Sequence, residues 1–460
     1  MQVTVGSEIR IQDPSKPLQD WCRENLVIRN PEYQNRARRG LWLGKTPEYL
    51  WLYRIDGADL IVPTGTGKEI RRFLGSQDGI RTDLADNGIL EYNGQIPLYS
   101  YQEEAVRAMS RCSCGILQSP CGSGKTQMGI ALAAMLRRKT LWITHTQDLL
   151  NQSYERAAQY FPEETLGRIS AGKVQIGSHM TFATVQTLCK VDLAQYRYCW
   201  DVVIVDECHR LAGTPTQVTM FYKVMSGLAA RHKYGLSATV RRSDGLIATT
   251  FAVLGPIVHQ VPDEAATGKT VPVRILKRDT GIKASICCLD TDGTLVYSKL
   301  IGYLTNSKER NGQIVQDLVA NRNHYNLVLS DRLDHLRELL SELPGELRAQ
   351  AAMIDGGMTS KRAKAERAQA IEDMRSGKKH FLFATFGLAK EGLDIPRLDR
   401  LYMAVPKKDY TVVTQSIGRI ARTAEGKGEA VCYDYVDSIA FCENQWKRRR
   451  AHYRKAGCKL

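Results

Sequence analysis

The sequence predicts an α/β protein with two tandem doubly wound domains behind a small mixed α/β module. Three observations carry that prediction. From about residue 96, short apolar runs recur: GILQS, TLWITH, TFATVQ, DVVIVDE and KYGLSAT. Each is apolar through its middle, as suits strands buried on both faces of a parallel sheet. Helical stretches such as TQMGIALAAMLRR separate them, which is the alternation of a doubly wound fold. The length of 460 residues also exceeds what one hydrophobic core usually spans, roughly 250–300 residues.

The elements divide the chain at residues 1–95, 96–262 and 263–460. In the first segment Val3, Val5, Ile9 and Ile11 alternate at strand spacing apart from one Gly-Ser step, and Tyr49-Leu50-Trp51-Leu52-Tyr53 puts its aromatics on one face and its leucines on the other. The second segment holds the five runs above. In the third, LVLS (327–330), AAMIDG, KHFLFAT, RLYMAVP and EAVCYDYVD are the expected strands. DRLDHLRELLSEL follows the first of them, with Leu333, Leu336, Leu340 and Leu343 forming an apolar helical stripe for core packing. Asp292-Gly293, between Ile286–Leu289 and Thr294–Tyr297, is a hairpin signal, and such a hairpin would suit a strand-separating wedge or a passive surface ribbon.

Composition narrows the class. Hydrophobic residues make up 43% and charged residues 25%, which excludes whole-chain disorder. No apolar run approaches the ~18 residues that span a bilayer. The start, MQVTVGSEIRIQD, lacks a charged head before an apolar block, so a cytoplasmic location is expected. Twelve cysteines show neither CxxC pairs nor zinc-ligand spacing and read as reduced thiols. The net charge is +15. Residues 1–95 are neutral, with 13 basic and 13 acidic side chains, whereas 443–460 hold 7 basic and 1 acidic. A basic balance fits a polyanionic partner, nucleic acid above all, and equally a soluble surface.

The most specific local signal is Ser119-Pro-Cys-Gly122-Ser-Gly124-Lys125-Thr126, after an expected strand and opening an expected helix. That context suits a phosphate loop. Its glycines, Gly122 and Gly124, let backbone N–H groups turn toward phosphate oxygens, and the helix N-terminus adds partial positive charge. Lys125 would reach the β- and γ-phosphates of a nucleotide, and the Thr126 hydroxyl would hold Mg²⁺. Ser119 stands where the strict pattern has glycine. A similar stretch, Val62-Pro-Thr-Gly-Thr-Gly-Lys68-Glu69, carries a carboxylate where the hydroxyl belongs and reads as a turn. The second signal is Asp201-Val-Val-Ile-Val-Asp206-Glu207-Cys208-His209. Four apolar residues deliver two carboxylates to the C-terminal end of a strand, where ligands bind in such sheets. Asp206 would hold Mg²⁺ and Glu207 would polarise the attacking water.

Together these motifs resemble the superfamily 2 helicases and translocases. Asp206-Glu207-Cys208-His209 looks like their motif II. Further blocks stand in the family's order: Tyr101-Gln102, where Gln102 resembles the adenine-reading glutamine; Thr146-Gln-Asp-Leu149-Leu-Asn-Gln152; Thr184-Val-Gln186-Thr187; Ser237-Ala238-Thr239; Ala384-Thr385 through Glu391-Gly392-Leu-Asp394-Ile-Pro396; and Gln415-Ser-Ile-Gly418-Arg419-Ile-Ala-Arg422. The resemblance covers roughly residues 96–440. Within the superfamily, the compact layout and Arg241-Arg242-Ser-Asp244-Gly245 most resemble phage and bacterial branch-migration helicases and the XPB-type motor. Leu98-Tyr99-Ser100-Tyr101-Gln102 departs from that group's frequent Leu-Arg-Pro-Tyr-Gln.

The resemblance implies two RecA-like domains with ATP between them. The first would supply Lys125, Thr126, Asp206 and Glu207. The second would supply Gly392 and Asp394 near the ribose, and Gln415, Arg419 and Arg422 near the γ-phosphate. His209, Ser237 and Thr239 would couple that site to nucleic acid. Thr146, Thr187 and Thr385 would contact its backbone without reading sequence, making binding salt-sensitive. Two further stretches suit nucleic acid: Arg36/Arg38/Arg39 with Trp42, Tyr49, Trp51 and Tyr53, and the basic tail from Trp446 to Lys455. In each, the alternative is an ordinary core or a solvated helix end. The implied activity is an ATP-dependent DNA helicase or translocase acting on forks and branched junctions. A duplex-translocase subunit of a restriction or defence complex, and an ATP-gated binding switch without unwinding, are the alternatives. RNA as the substrate stays open.

Overall fold

The structure is a computed structural model that describes every residue except 76–77, 121, 216, 241–245, 263–269, 359 and 391–392, and describes no side chain for Lys361, Lys390 or Thr411. The chain folds into two compact units, Met1–Ala265 and Ala266–Leu460.

The first unit is built on an eight-stranded sheet. Its strands run, from one edge, Lys173–Gln175, Leu166–Ser170, Met180–Thr184, Thr140–Thr144, Val202–Asp206, His232–Ser237, Cys114–Gln118 and Ile257–Gln260. All neighbours pair parallel except the first two. Alternate residues of each central strand enter different cores. Val203 and Val205 join Ile116, Leu141 and Ile143 on one face. Val202 and Ile204 join Leu117, Trp142 and Leu236 on the other. Burial on both faces is why these strands read as unbroken apolar runs.

Residues 1–95 build a second, mixed sheet ordered Arg54–Asp56, Asp59–Val62, Ile9–Gln12, Gln2–Val5 and Gly79–Thr82. It is stitched to the larger sheet's layer. Ala85 N–H donates to the Ala229 carbonyl at 2.8 Å, and Asn87 N–H to Asp201 Oδ1 at 3.0 Å. The Tyr222 hydroxyl donates to Glu8 at 2.9 Å, and buried Lys233 donates to the Ser7 and Met225 carbonyls at 2.8 and 2.9 Å. The stretch Val62–Glu69 forms a 3-10 turn, Thr64–Thr66, and one helical turn, Gly67–Ile70. A Cβ on Gly65 would sit 2.3 Å from the Gly255 nitrogen and 2.5 Å from the Phe251 carbonyl oxygen. This glycine lets two backbones touch and serves docking of the module, not a phosphate.

The second unit is a six-stranded, all-parallel sheet ordered Val273–Asp279, Ala430–Val436, Arg400–Met403, Asn326–Ser330, Phe381–Thr385 and Ala351–Ile354. It too is covered on both faces, Leu327, Leu329 and Leu401 packing on one side and Val328, Phe381 and Tyr402 on the other. In helix Leu333–Glu342 the buried leucines are Leu336 and Leu339, continued by Leu343 just beyond its end, while Leu333 and Leu340 flank the stripe.

Two expectations are corrected here. Residues 286–297 do not form a two-stranded hairpin. Ile286–Cys288 is a 3-10 turn, a single bridge joins Leu289 to Leu295, and a helix begins at Tyr297. Asp290 Oδ1 accepts from the Asp292 and Thr294 N–H groups and closes the loop before strands can extend. The basic tail is helical over Ala440–Lys455, but it is not basic surface throughout. Arg449, 1% exposed, grips Asp434 through Nε and Nη2 at 2.7 Å each, and the Tyr453 hydroxyl donates to the same carboxylate. These two side chains anchor the helix. Lys447, Arg448, Arg450 and Arg454 stay exposed.

Among the described residues, no helix is long and apolar enough to cross a membrane. Every described cysteine carries a free thiol.

Candidate nucleotide site and nucleic-acid interface

The first unit gathers its predicted site residues at the C-terminal ends of adjacent strands. Cys114–Gln118 leads into the phosphate loop, and helix Lys125–Leu136 follows it. Gly122 and Gly124 take φ of +84° and +81°, a region that only glycine enters cheaply. The loop braces itself: the Ser119 and Ser123 hydroxyls lie 2.5 Å apart, and Ser123 donates to the Pro120 carbonyl at 2.7 Å. Lys125 Nζ turns onto the Ser119 and Pro120 carbonyl oxygens, each at 3.3 Å. These weak contacts hold the ammonium at the loop from which a phosphate would draw it.

Strand Val202–Asp206 lies two places from the loop strand, separated by His232–Ser237. Asp206 is 5% exposed, and its Oδ1 accepts the Glu207 N–H at 3.0 Å. Burial, and then the neighbouring Glu207 carboxylate, push its pKa up to about 7, while the Lys125 charge opposes that rise. A carboxylate buried at this cost fits a divalent cation, with the Thr126 hydroxyl on the first turn of the loop's helix as a second oxygen donor. Glu207 itself sits at φ +50°, ψ +48°, a left-handed conformation rare for a residue with a side chain. The strand's sharp exit turns the Glu207 side chain back toward His209, whose Nδ1 lies 3.2 Å from Glu207 Oε2.

The same His209 Nδ1 lies 2.9 Å from Ser237 Oγ. Ser237 Oγ donates to the Thr239 carbonyl at 2.8 Å and accepts the Thr239 N–H at 3.2 Å. The serine hydrogen is therefore used, and the network assigns the Nδ1 proton to His209. Ser237 also reaches the loop: its carbonyl accepts the Ser119 N–H at 3.0 Å. His209, Ser237, Thr239 and Ser119 thus form one hydrogen-bonded path, and Glu207 Oε2 approaches its His209 end at 3.2 Å.

Gln102 is 4% exposed and bonded at both ends. Its Oε1 accepts the Tyr99 N–H at 2.9 Å, closing a capping box on helix Ser100–Ser110, and its Nε2 donates to the Ser123 carbonyl at 2.8 Å. Tyr101 donates its hydroxyl to the same carbonyl at 2.9 Å and stacks on Tyr99, with centroids 6.0 Å apart and planes 8° apart. Sequence reasoning gave Gln102 a role but the two tyrosines none; the Tyr-x-Tyr-Gln spacing at a helix start was the available signal.

In the second unit, Asp394 forms ion pairs with Arg422 and, at 3.8 Å, with Arg375. Arg375 Nε also donates to the Asp394 carbonyl at 2.7 Å. Nothing in the sequence pattern singled out Arg375. Arg419 donates to the Ala389 and Leu393 carbonyls at 2.7 and 3.1 Å, so it braces the Asp394 segment. Gln415 is 5% exposed, on helix Tyr410–Ile420. Glu391 and Gly392 lie outside the described residues, as do 241–245.

Thr146 and Thr187 each follow a parallel strand, and Thr385 ends one. Thr146 caps helix Gln147–Ala158, accepting the Leu149 N–H at 3.3 Å. Thr187 accepts from the Thr184 hydroxyl at 3.0 Å, and Gln186 Nε2 donates to the His145 carbonyl at 2.7 Å, tying the two loops of the first unit together. Thr385 ends strand Phe381–Thr385 of the second unit. In the N-terminal module Trp42 is 84% exposed, and Tyr49 and Trp51 are also exposed, whereas Tyr53 is buried. Strand Tyr49–Trp51 turns Leu50 inward and its two aromatics outward, with exposed Arg38 and Arg39 on the preceding helix and turn.

Comparison with known proteins follows this geometry. Residues 95–242 match the family described as the type III restriction enzyme, res subunit, and residues 310–424 match the helicase conserved C-terminal domain. A protein of Acanthamoeba polyphaga mimivirus, whose name is that of an ATP-dependent RNA helicase, is 26% identical over 85% of this chain and 74% of its own length. The DNA 3'-5' translocase XPB2 of Sulfurisphaera tokodaii is 23% identical over 77% of this chain and 85% of its own. A fragment of an HsdR-type subunit of a type I restriction enzyme from Vibrio vulnificus shares the fold at a TM-score of 0.53, with 16% identity over 74% of this chain and 65% of that one.

Proposed function

The chain belongs to the superfamily 2 helicases, with two tandem RecA-like motor domains, and from that premise we propose that it is an ATP-driven DNA motor that remodels forked and branched DNA. The observation that carries the reading is the placement of Glu207, its Oε2 3.2 Å from His209 Nδ1, at the end of a hydrogen-bonded path from His209 through Ser237 to Ser119. It joins the group that handles water to the loop that handles phosphate. In this reading Lys125 and the N-terminus of its helix bind the phosphates, and Asp206 with Thr126 holds Mg²⁺. A Mg²⁺ held there would supply charge neutralisation at the phosphate oxygens. Glu207 orients the attacking water and takes its proton. We assign Gln415, Arg419 and Arg422 to the γ-phosphate and Asp394 to the ribose, as the family resemblance implies.

Thr146, Thr187 and Thr385 contact the nucleic-acid backbone. The exposed Trp42, Tyr49 and Trp51, beside Arg38 and Arg39, add a stacking surface. DNA is favoured over RNA by the XPB2 relative's named activity, against the RNA assignment carried by the mimivirus relative's name. The experiment is ATP hydrolysis by the full chain with no nucleic acid, single-stranded DNA, duplex DNA, a four-way junction and RNA, at two salt concentrations. Strong stimulation by duplex or junction DNA is expected; stimulation by RNA alone would overturn the DNA assignment.

A second reading, a duplex translocase within a larger restriction or defence complex, is favoured by the short 286–297 turn, which lacks a wedge's two strands. A strand-displacement assay beside a triplex-displacement assay separates the two.

A further inference from the structure

We propose that Lys427 is a positioning residue for the arginine assigned to the γ-phosphate: its ammonium pins the Arg422 backbone to the Pro396–Leu398 segment and fixes the pivot of the guanidinium. The inference rests on the reading of Arg422 under the proposed function.

Lys427 lies five residues beyond Arg422. Its own N–H donates to the Ala424 carbonyl at 3.2 Å, closing a turn through Gly426 at φ +74°. Its Nζ donates to three carbonyls, those of Leu398 and Arg422 at 2.6 Å and that of Pro396 at 2.9 Å. An ammonium has three N–H donors and no acceptor, so every donor is used. Arg422 is thereby held at both ends by one stretch of chain. Its carbonyl is joined through Lys427 to residues 396 and 398, and its guanidinium pairs with Asp394. With the carbonyl anchored, the guanidinium can exchange Asp394 for a phosphate while its backbone stays in place, and such fixed geometry is what transition-state contacts require.

The anchor needs the charged form of the lysine. A neutral amine has two N–H donors and a lone pair, so one of the three carbonyls would face that lone pair. Burial lowers the Lys427 pKa from 10.5 to about 8, the Asp399 carboxylate opposes the fall, and the Arg422 charge adds to it. These two are the charged groups that face it. Asp399 is bonded to His324 and to the Tyr325 N–H, and Asp394 offsets Arg422. Among the described residues Lys427 makes no ion pair, so its proton leaves at mildly alkaline pH and the anchor weakens with it.

The test is steady-state ATP hydrolysis by the full chain with its best nucleic-acid activator. It compares the parent, Lys427→Met, Lys427→Arg, Arg422→Ala and the double variant Lys427→Met/Arg422→Ala. Lys427→Met should lower kcat about tenfold at pH 7, the size of one hydrogen bond to a charged group, with KM for ATP changed less than about twofold. Lys427→Arg keeps a permanent charge and ample donors and should restore most of the loss. The double variant should be no slower than Arg422→Ala alone, because a prop adds nothing once the propped group is gone. The parent's kcat should fall between pH 7 and 9.5 toward that of Lys427→Met, and the fall should be absent from Lys427→Met. This profile needs no substitution in the parent, so it stands even if Lys427→Met fails to fold. Unchanged kcat in Lys427→Met, additive losses in the double variant, or a flat parental profile would overturn the proposal. Full hydrolysis by Arg422→Ala would instead remove the reading of Arg422, and the two failures are distinct.

Discussion

His209 Nδ1 lies 2.9 Å from Ser237 Oγ, to which it is hydrogen-bonded, and 3.2 Å from Glu207 Oε2, so the candidate base and the Ser237–Thr239 turn meet at one imidazole nitrogen. Ser237 continues to the phosphate loop through the Ser119 N–H. Removing its hydroxyl breaks the path and leaves Lys125, Asp206 and Glu207 in place. Ser237→Ala should therefore keep ATP hydrolysis without nucleic acid within about threefold of the parent, and lose about tenfold or more of the stimulation by DNA, the range of an ordinary coupling energy. Parallel loss of both rates would make Ser237 a structural support only.

The roles of Lys125 and Glu207 separate by what each variant retains. Lys125 Nζ is the cation held at the loop's own carbonyls. Lys125→Ala should abolish hydrolysis together with tight ATP binding; near-normal turnover would remove the loop from the site. Glu207→Gln keeps the shape of the side chain and the strained backbone at φ +50° while removing the proton acceptor. It should bind ATP and Mg²⁺ like the parent in a fluorescent-nucleotide titration, and turn over about 10²–10⁴-fold more slowly. Unchanged turnover would refute the assigned base.

Arg422 and Asp394, two residues assigned separately to phosphate and ribose, are each other's partner in the second unit. On the proposed assignment of Arg422 to the γ-phosphate, Arg422→Ala should leave ATP affinity largely intact and suppress hydrolysis, because the guanidinium would then act only as charge builds on the transferred phosphoryl group. Asp394→Asn should cost less, since Arg375 still bonds the residue-394 carbonyl. A large loss of ATP binding in Arg422→Ala, read by equilibrium titration, would make Arg422 a ground-state contact.

The strand–loop–helix of the first unit's candidate nucleotide site was legible because it is local in sequence. A strand, a glycine turn and a helix lie within thirteen residues from Cys114 to Thr126, and Asp206 and Glu207 end an apolar strand. The central strands were legible for the same reason, being buried on both faces. Edge strands were not: Lys173–Gln175 and Ile257–Gln260 carry polar residues and lack the apolar signature. Long-range polar partners were equally hidden. The basic tail read as one charged stretch, yet Arg449 finds Asp434 across the fold and becomes core. The hairpin signal at Asp292-Gly293 was a real turn, but Asp290 captured the neighbouring N–H groups and no ladder followed.

The attachment of the N-terminal module gives a prediction that depends on pH. Lys233 is 1% exposed and spans the Ser7 carbonyl of the module and the Met225 carbonyl of the larger sheet's layer. Burial lowers its pKa from 10.5 to about 8. Between those two values the unfolded chain carries a proton on this lysine that the folded chain has released. Stability therefore rises with pH across that window, by at most about 1.4 kcal/mol per pH unit from this group, and the full cost of burying the charge is present below pH 8. Lys233→Met removes the titrating group. Its stability should follow a shallower pH slope than the parent between pH 8 and 10, even if the two orphaned carbonyls lower its absolute value. Urea unfolding at pH 8, 9 and 10 reads this through tryptophan fluorescence, since Trp142 and Trp200 are buried in the first unit. Parallel slopes in the two proteins would mean that Lys233 titrates in the fold as it does in water, and that the junction is held by the Asp201, Ala229 and Glu8 contacts alone.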